Sequence, residues 1–243
     1  MYSFRARFVQ LAGPNNLHRF VKLCGEYTRC VTREAELREA GEVLSMQEYI
    51  PLRRNNSAVL LCLALNEYIL GIDLPEDVYE NPVFMKAYWA ACDHVCWANV
   101  SFWESLNSKP NMMLTYTPPQ DVYSYNIEQS KGHTGNNIVT VLMKDRQINL
   151  QEACDYVGAY CRELMNRYLS ARDELRATVG GDASLFIEAA GSWIIGNLEY
   201  VFKTSPFSRR YGLKIILLLS SLSGGALSLL ATLAMNTMKS SEL

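Results

Sequence analysis

Acid, hydroxyl, carboxylate and ammonium groups recur at helical intervals in Asp121-Val-Tyr-Ser124-Tyr-Asn-Ile-Glu128-Gln-Ser-Lys131. Ser124 and Glu128 are four residues apart, so on an α-helix they share one face, a turn apart. Asp121 and Lys131 fall close to the same stripe, three residues before Ser124 and three after Glu128. Hard oxygen ligands at this interval suit Mg²⁺, which takes few protein oxygens and keeps its other positions for water and phosphate. The spacing by itself is a weak signal, since a solvated helix face carrying a Glu128–Lys131 pair shows the same pattern.

The context upstream separates these readings. His94-Val-Cys-Trp-Ala-Asn99 ends in an asparagine and is followed by residues 100–120, which fit neither neighbour in composition. With that segment removed, the chain reads Asn99-Asp121-Val-Tyr-Ser124-Tyr-Asn-Ile-Glu128. This resembles N-D-x-x-S-x-x-x-E, the second metal-binding motif of class I terpene synthases. Arg33-Glu-Ala-Glu-Leu-Arg-Glu-Ala-Gly41, Gly71-Ile-Asp-Leu-Pro75, Asn81-Pro-Val-Phe-Met85 and Gly196-Asn-Leu-Glu199 are similar to the fungal sesquiterpene synthases of that class. The resemblance runs from near the start of the chain to about Tyr211.

The resemblance implies an all-α class I terpenoid synthase bundle, incomplete at its N-terminus. The implied activity is Mg²⁺-dependent ionisation of farnesyl diphosphate and its cyclisation to a sesquiterpene, with release of diphosphate. Carried onto this sequence, it gives Asn99, Ser124 and Glu128 as Mg²⁺ ligands and Lys131 as a diphosphate contact. Arg54 resembles the arginine that senses the diphosphate, and Arg210-Tyr211 the pair that closes over it. Metals and cationic side chains would stabilise the departing charge, and aromatic faces the carbocation left behind. Trp89, Tyr88, Phe186 and Trp193 are candidate cavity aromatics or ordinary core residues.

Two departures stand out. Relatives often read Arg-Arg-Asp-Thr-Ser-Gly where this chain has Arg53-Arg-Asn-Asn-Ser-Ala58, so Ala58 replaces the glycine at which the family's helix breaks. Family members also carry an aspartate-rich motif for two further Mg²⁺ ions on an earlier helix, and nothing before Asn99 matches it. The nearest acidic cluster, Asp73-Leu-Pro-Glu76-Asp77, contains Pro75 and reads as a connector. The alternative to an active cyclase is therefore a catalytically inactive remnant.

Residues 100–120 number 21, begin with Val and end with Gln. They read either as a short retained intron translated in frame or as a surface loop. Asn107-Ser-Lys-Pro110 and Thr115-Tyr-Thr-Pro-Pro-Gln120 cannot continue a helix. The helical domain is placed at residues 1–211 and an apolar tail at 212–243. Ile215 to Met235 carries no charge and follows Arg209, Arg210 and Lys214. That run is a candidate membrane anchor, translated non-coding sequence, or a helix packed on the bundle.

The elements that must position these residues follow from pattern. Asn15-Asn16 can cap a helix to about Ala40, and Ser45-Met-Gln-Glu48 is a capping box. The run from Val59 to Ile69 reads as a helix apolar nearly all round, hence buried. Pro82 suits the first turn of the helix leading to Asn99. A short helix is expected from Ile138 to Lys144, and Asn149 with Glu152 opens a long one to about Thr178. Gly180-Gly181 stops it, and Asp182 can cap the helix to Phe202.

Net charge is −2 with no long basic run, which argues against a nucleic-acid partner. Seven cysteines without framework spacing suit a reducing compartment, and the N-terminus lacks a signal-peptide core, so a cytoplasmic location is expected. Cys92, His94 and Cys96 read as core and boundary residues, because His94 points away from the other two on a helix.

Overall fold

The computed structural model describes residues 4–98 and 137–204, and these form helices with no β-strand among them. In chain order they are α1 (Phe4–Leu11), α2 (Pro14–Ala40), α3 (Met46–Asn56), α4 (Val59–Leu70), a 3₁₀ turn (Glu76–Glu80), α5 (Pro82–Ala98), α6 (Ile138–Arg146), α7 (Leu150–Thr178) and α8 (Gly181–Thr204). Internal contacts divide the chain into Met1–Ile195 and Gly196–Leu243; of the second unit the described part is the last turns of α8.

Local chemistry explains most of the boundaries. Ser45 and Asn149 each accept from the backbone of the third helical residue, while Glu48 and Glu152 reach back to the cap N–H, completing both capping boxes. Asn81 Oδ1 accepts from Val83 and Phe84 N–H, and Pro82 occupies the first turn of α5, where its missing N–H costs nothing. Asn137 caps α6 through Val139 N–H.

Two caps differ from the sequence expectation. α2 starts at Pro14 behind Gly13, and neither Asn15 nor Asn16 caps it. Asp73 does so from the α4–α5 connector, accepting from Asn15 N–H at 3.3 Å and Asn16 N–H at 2.8 Å. A Cβ at Gly13 would overlap the Asp73 carboxyl group, so glycine is required by the close approach. Asp182 lies inside the first turn of α8, because Gly180 and Gly181 both take left-handed backbone and the helix begins at Gly181. Its carboxylate still suits the positive end of the helix.

α4 also departs from its hydrophobic pattern. Ile69 is 70 % exposed, while Glu67, one of the few polar residues of the run, is fully buried. Glu67 is satisfied from every side. Arg19 pairs with it at 3.1 Å, Leu74 N–H donates at 2.8 Å, and the Tyr79 hydroxyl donates at 3.0 Å. Arg19 further holds Glu76 at 2.6 Å and the Leu74 carbonyl at 2.8 Å. The acidic connector is thus consumed by structure: Asp73 caps α2 and Glu76 closes the Arg19 cluster.

α5 lies along α7, and the core between and around them is aromatic. The Phe84 ring lies 5.6 Å from Phe186, tilted, and 5.0 Å from Tyr79, edge to face, with Tyr88 beside all three. Burying each such ring contributes about 1.5–3 kcal/mol. α8 joins through the Tyr168 hydroxyl, which donates to Ile187 C=O at 2.8 Å; Gly191 leaves the space that hydroxyl occupies. Trp193 Nε1–H donates to Asn66 Oδ1 at 3.0 Å. Among the described residues no helix is long and apolar enough to cross a membrane, and the candidate anchor at 215–235 lies outside them.

Candidate functional site

Arg54 stands in the last turn of α3, at the joint where the chain breaks before α4. The break is made by Ala58, whose φ of 61° and ψ of 0° place an alanine in left-handed backbone that glycine would occupy without penalty. Ser57 stitches the joint. Its hydroxyl donates to Arg54 C=O at 3.1 Å and accepts from Val59 N–H at 3.2 Å and from the Cys96 thiol at 3.2 Å. The Ala58 carbonyl opens the ladder of α4, accepting from Cys62 N–H at 3.1 Å. The expected helix break therefore survives the replacement of glycine by alanine.

From that joint the Arg54 side chain reaches α5. Its Nε and Nη2 donate to Asp93 Oδ1 and Oδ2, both at 2.6 Å, a bidentate fork of the strong, charge-assisted kind. Its guanidinium lies 4.4 Å from the ring centroid of Trp89, one turn before Asp93 on the same helix. Burial works against the Arg54 charge, but the hydrogen bonds and attraction of Asp93 outweigh it and hold its pKa above the ordinary arginine range. Asp93 is 4 % exposed at its side chain, against 26 % for Arg54. The guanidinium is thus anchored at one edge, on a side chain that stays partly exposed.

Tyr160 of α7 lines the same region. Burial pushes its phenol up, and Asp93 adds to the shift. Its ring packs 4.4 Å from Trp97, in the last turn of α5. His94 is buried, which pushes its imidazole down to about 4 and leaves it neutral at pH 7. Cys92 and Cys96 are buried free thiols. Of the candidate cavity aromatics, Tyr88 and Phe186 are core residues, Trp193 bonds Asn66, and Trp89 covers Arg54.

Asp93 and its partnership with Arg54 were not legible in the sequence pattern. The only signal was a lone acid one turn after a tryptophan on a mostly apolar helix. The other sequence-derived site residues, Asn99, Asp121, Ser124, Glu128, Lys131, Arg210 and Tyr211, lie outside the described residues, as do the segment 100–120 and the tail 212–243. Among the described residues no group of three His, Cys, Asp or Glu is arranged to hold a metal ion.

Residues 1–167 match the family described as terpene synthase family 2, C-terminal metal binding. The chain belongs to the terpene synthase family. Bifunctional terpene synthase Agr4 of Cyclocybe aegerita is 53 % identical over 204 residues, covering 84 % of this chain and 54 % of that protein. Viridiflorene synthase Agr2 of the same fungus is 38 % identical over 215 residues, covering 84 % and 50 %. This terpene synthase chain thus spans about half the length of the curated relatives it matches. The fold agrees: 2-methylisoborneol synthase from Streptomyces coelicolor, solved with Mg²⁺ and geranyl-S-thiolodiphosphate, superposes with a TM-score of 0.65 at 19 % identity. That match covers 83 % of this chain and 56 % of that one. The helices described above are those of the class I terpene synthase fold.

Proposed function

We propose that this chain carries the metal-binding and diphosphate-sensing part of a sesquiterpene cyclase, which ionises farnesyl diphosphate and cyclises the resulting cation. The observation that carries the reading is Arg54: a partly exposed side chain at the α3–α4 break, anchored on buried Asp93, in a chain of the terpene synthase family. Relatives named as sesquiterpene synthases support the substrate class. A structural neighbour solved with Mg²⁺ and a prenyl diphosphate analogue supports metal and diphosphate together.

Asn99, Ser124 and Glu128 would hold the ion, an oxygen-rich set of the kind Mg²⁺ prefers. When bound, Mg²⁺ would neutralise charge developing on the leaving diphosphate. Arg54 would bind a phosphoryl oxygen of that group, joined by Lys131 and by Arg210 with Tyr211. A guanidinium already anchored meets the developing charge without rearranging, which is where such contacts accelerate a reaction. Trp89 presents an aromatic face next to this charge. Tyr88 and Phe186 are buried in the core and are not assigned a role in the reaction.

The test is turnover of farnesyl diphosphate with and without Mg²⁺, read by gas chromatography of the hydrocarbons. A cyclic product formed only with Mg²⁺ is expected, and lost in Glu128→Ala. An active Glu128→Ala variant overturns the metal assignment. Folded protein that forms no product supports the inactive reading.

A further inference from the structure

A guanidinium can bond side-on through Nε and Nη2 or end-on through Nη1 and Nη2. In Arg54 the side-on edge is taken by both oxygens of Asp93 at 2.6 Å, and one face lies against Trp89 at 4.4 Å. These two contacts fix the plane of the group and the direction of its other edge. Both come from α5, at positions four apart and so on one stripe. Further along that stripe Cys96 meets Ser57 Oγ at 3.2 Å, which ties the same helix to the backbone joint carrying Arg54. α5 therefore sets the guanidinium at its tip and its root.

We propose that Asp93 and Trp89 are positioning residues that hold Arg54 with its Nη1–Nη2 edge turned to a phosphoryl anion. The inference rests on the reading of Arg54 as a diphosphate contact. Arginine carries large rotamer freedom, and ordering it in the folded protein removes that cost from the binding step. Asp93 is then a fixed counter-ion behind the arginine and does not compete with the diphosphate.

The experiment is calorimetric titration of inorganic diphosphate, in Mg²⁺ buffer, into the full chain and into Arg54→Gln, Asp93→Asn, Asp93→Glu and the Arg54→Gln/Asp93→Asn double variant. Arg54→Gln is expected to weaken binding by tenfold or more, and Asp93→Asn by about tenfold, with Asp93→Glu in between. The double variant should bind no more weakly than Arg54→Gln. Binding by Asp93→Asn within twofold of the parent, or tighter, overturns the positioning role. So does a double variant in which the two losses multiply. A merely structural Asp93 would lower the unfolding temperature without this non-additivity. If the parent does not bind diphosphate, or if Arg54→Gln binds like the parent, the Arg54 reading falls and takes this inference with it; that failure is seen without any Asp93 variant. Should Asp93→Asn not fold by circular dichroism, Trp89→Leu carries the test, with several-fold weaker binding expected and unchanged binding overturning the proposal.

Discussion

Among the described residues two interhelical arginine–carboxylate pairs have a buried acid, and they are finished differently. Arg19 and Arg54 each pair with a buried acid of another helix and each lies over an aromatic ring, Tyr79 at 4.1 Å and Trp89 at 4.4 Å. Arg19 bonds two carboxylates and a carbonyl, and its side chain is 10 % exposed. Arg54 bonds one carboxylate by one edge, and its side chain is 26 % exposed. Among the described residues the first pair satisfies itself within the protein, whereas the second is pinned by one edge and its Nη1 makes no hydrogen bond. Pair chemistry alone does not separate a structural arginine from a binding one, whereas the number of donors already used does.

The largest effect should come from breaking the saturated pair. Arg19→Ala leaves Glu67 buried without its countercharge, and loss of one partner of such a pair typically costs about 3–5 kcal/mol. The Tyr79 hydroxyl still donates to Glu67 at 3.0 Å but carries no positive charge to replace the one lost. Denaturant unfolding should show this drop with no change in diphosphate affinity of the folded fraction. A loss below about 1 kcal/mol would mean that Glu67 finds other partners for its oxygens, and the contrast between the pairs would fail.

Arg54→Gln should cost less stability, about 2–3 kcal/mol, because Arg54 is partly exposed and water can reach the vacated space beside Asp93. Its main effect should be on diphosphate binding. Stability loss equal to that of Arg19→Ala, with binding unchanged, would make the two pairs equivalent and erase the distinction.

How far the sequence carried this reading depends on the distance over which each feature is decided. The capping boxes at Ser45 and Asn149 close within three residues, and both were legible. Pro82 at the start of α5 was legible for the same reason. The cap of α2 was not, because Asp73 arrives from 57 residues away and displaces the local asparagines from that role. Glu67 reads as the polar blemish of an apolar helix, yet it is buried because Arg19, Leu74 and Tyr79 converge on it from other elements. Arg54 is legible through family resemblance, but its partner Asp93 lies 39 residues on and belongs to no local pattern. The metal segment from Ser124 to Lys131 rests on spacing and resemblance, since it lies outside the described residues.

Gly13→Ala sharpens the comparison from the side of the saturated cluster. The new methyl group would overlap the Asp73 carboxyl, which must move off the α2 terminus and release Asn15 and Asn16 N–H. Loss of a helix cap costs about 0.5–2 kcal/mol, and the upper part of that range is expected here because the cap is part-buried. Thermal unfolding checks it. Diphosphate binding should stay at the parent value, because this connector supports Arg19 and not Arg54.

The smallest effect should come from the joint beneath Arg54. Ala58 holds left-handed backbone at a cost of about 1–2 kcal/mol for a residue with a Cβ, which glycine does not bear. Glycine gives part of that back, about 0.4–1 kcal/mol, by widening the unfolded ensemble. The two terms leave Ala58→Gly more stable by about 0.5 kcal/mol, resolved by denaturant midpoints at constant slope. The Ser57 hydroxyl bonds to Arg54, Val59 and Cys96 do not involve the Ala58 side chain, so the joint should keep its shape and the Arg54–Asp93 fork its geometry. Destabilisation by Ala58→Gly would show that the methyl group packs against a neighbour strongly enough to outweigh the strain, and that the break depends on alanine in this chain. Stabilisation with unchanged diphosphate affinity would instead separate the two roles of the joint: backbone strain at Ala58 limits stability, and the carboxylate behind Arg54 governs binding.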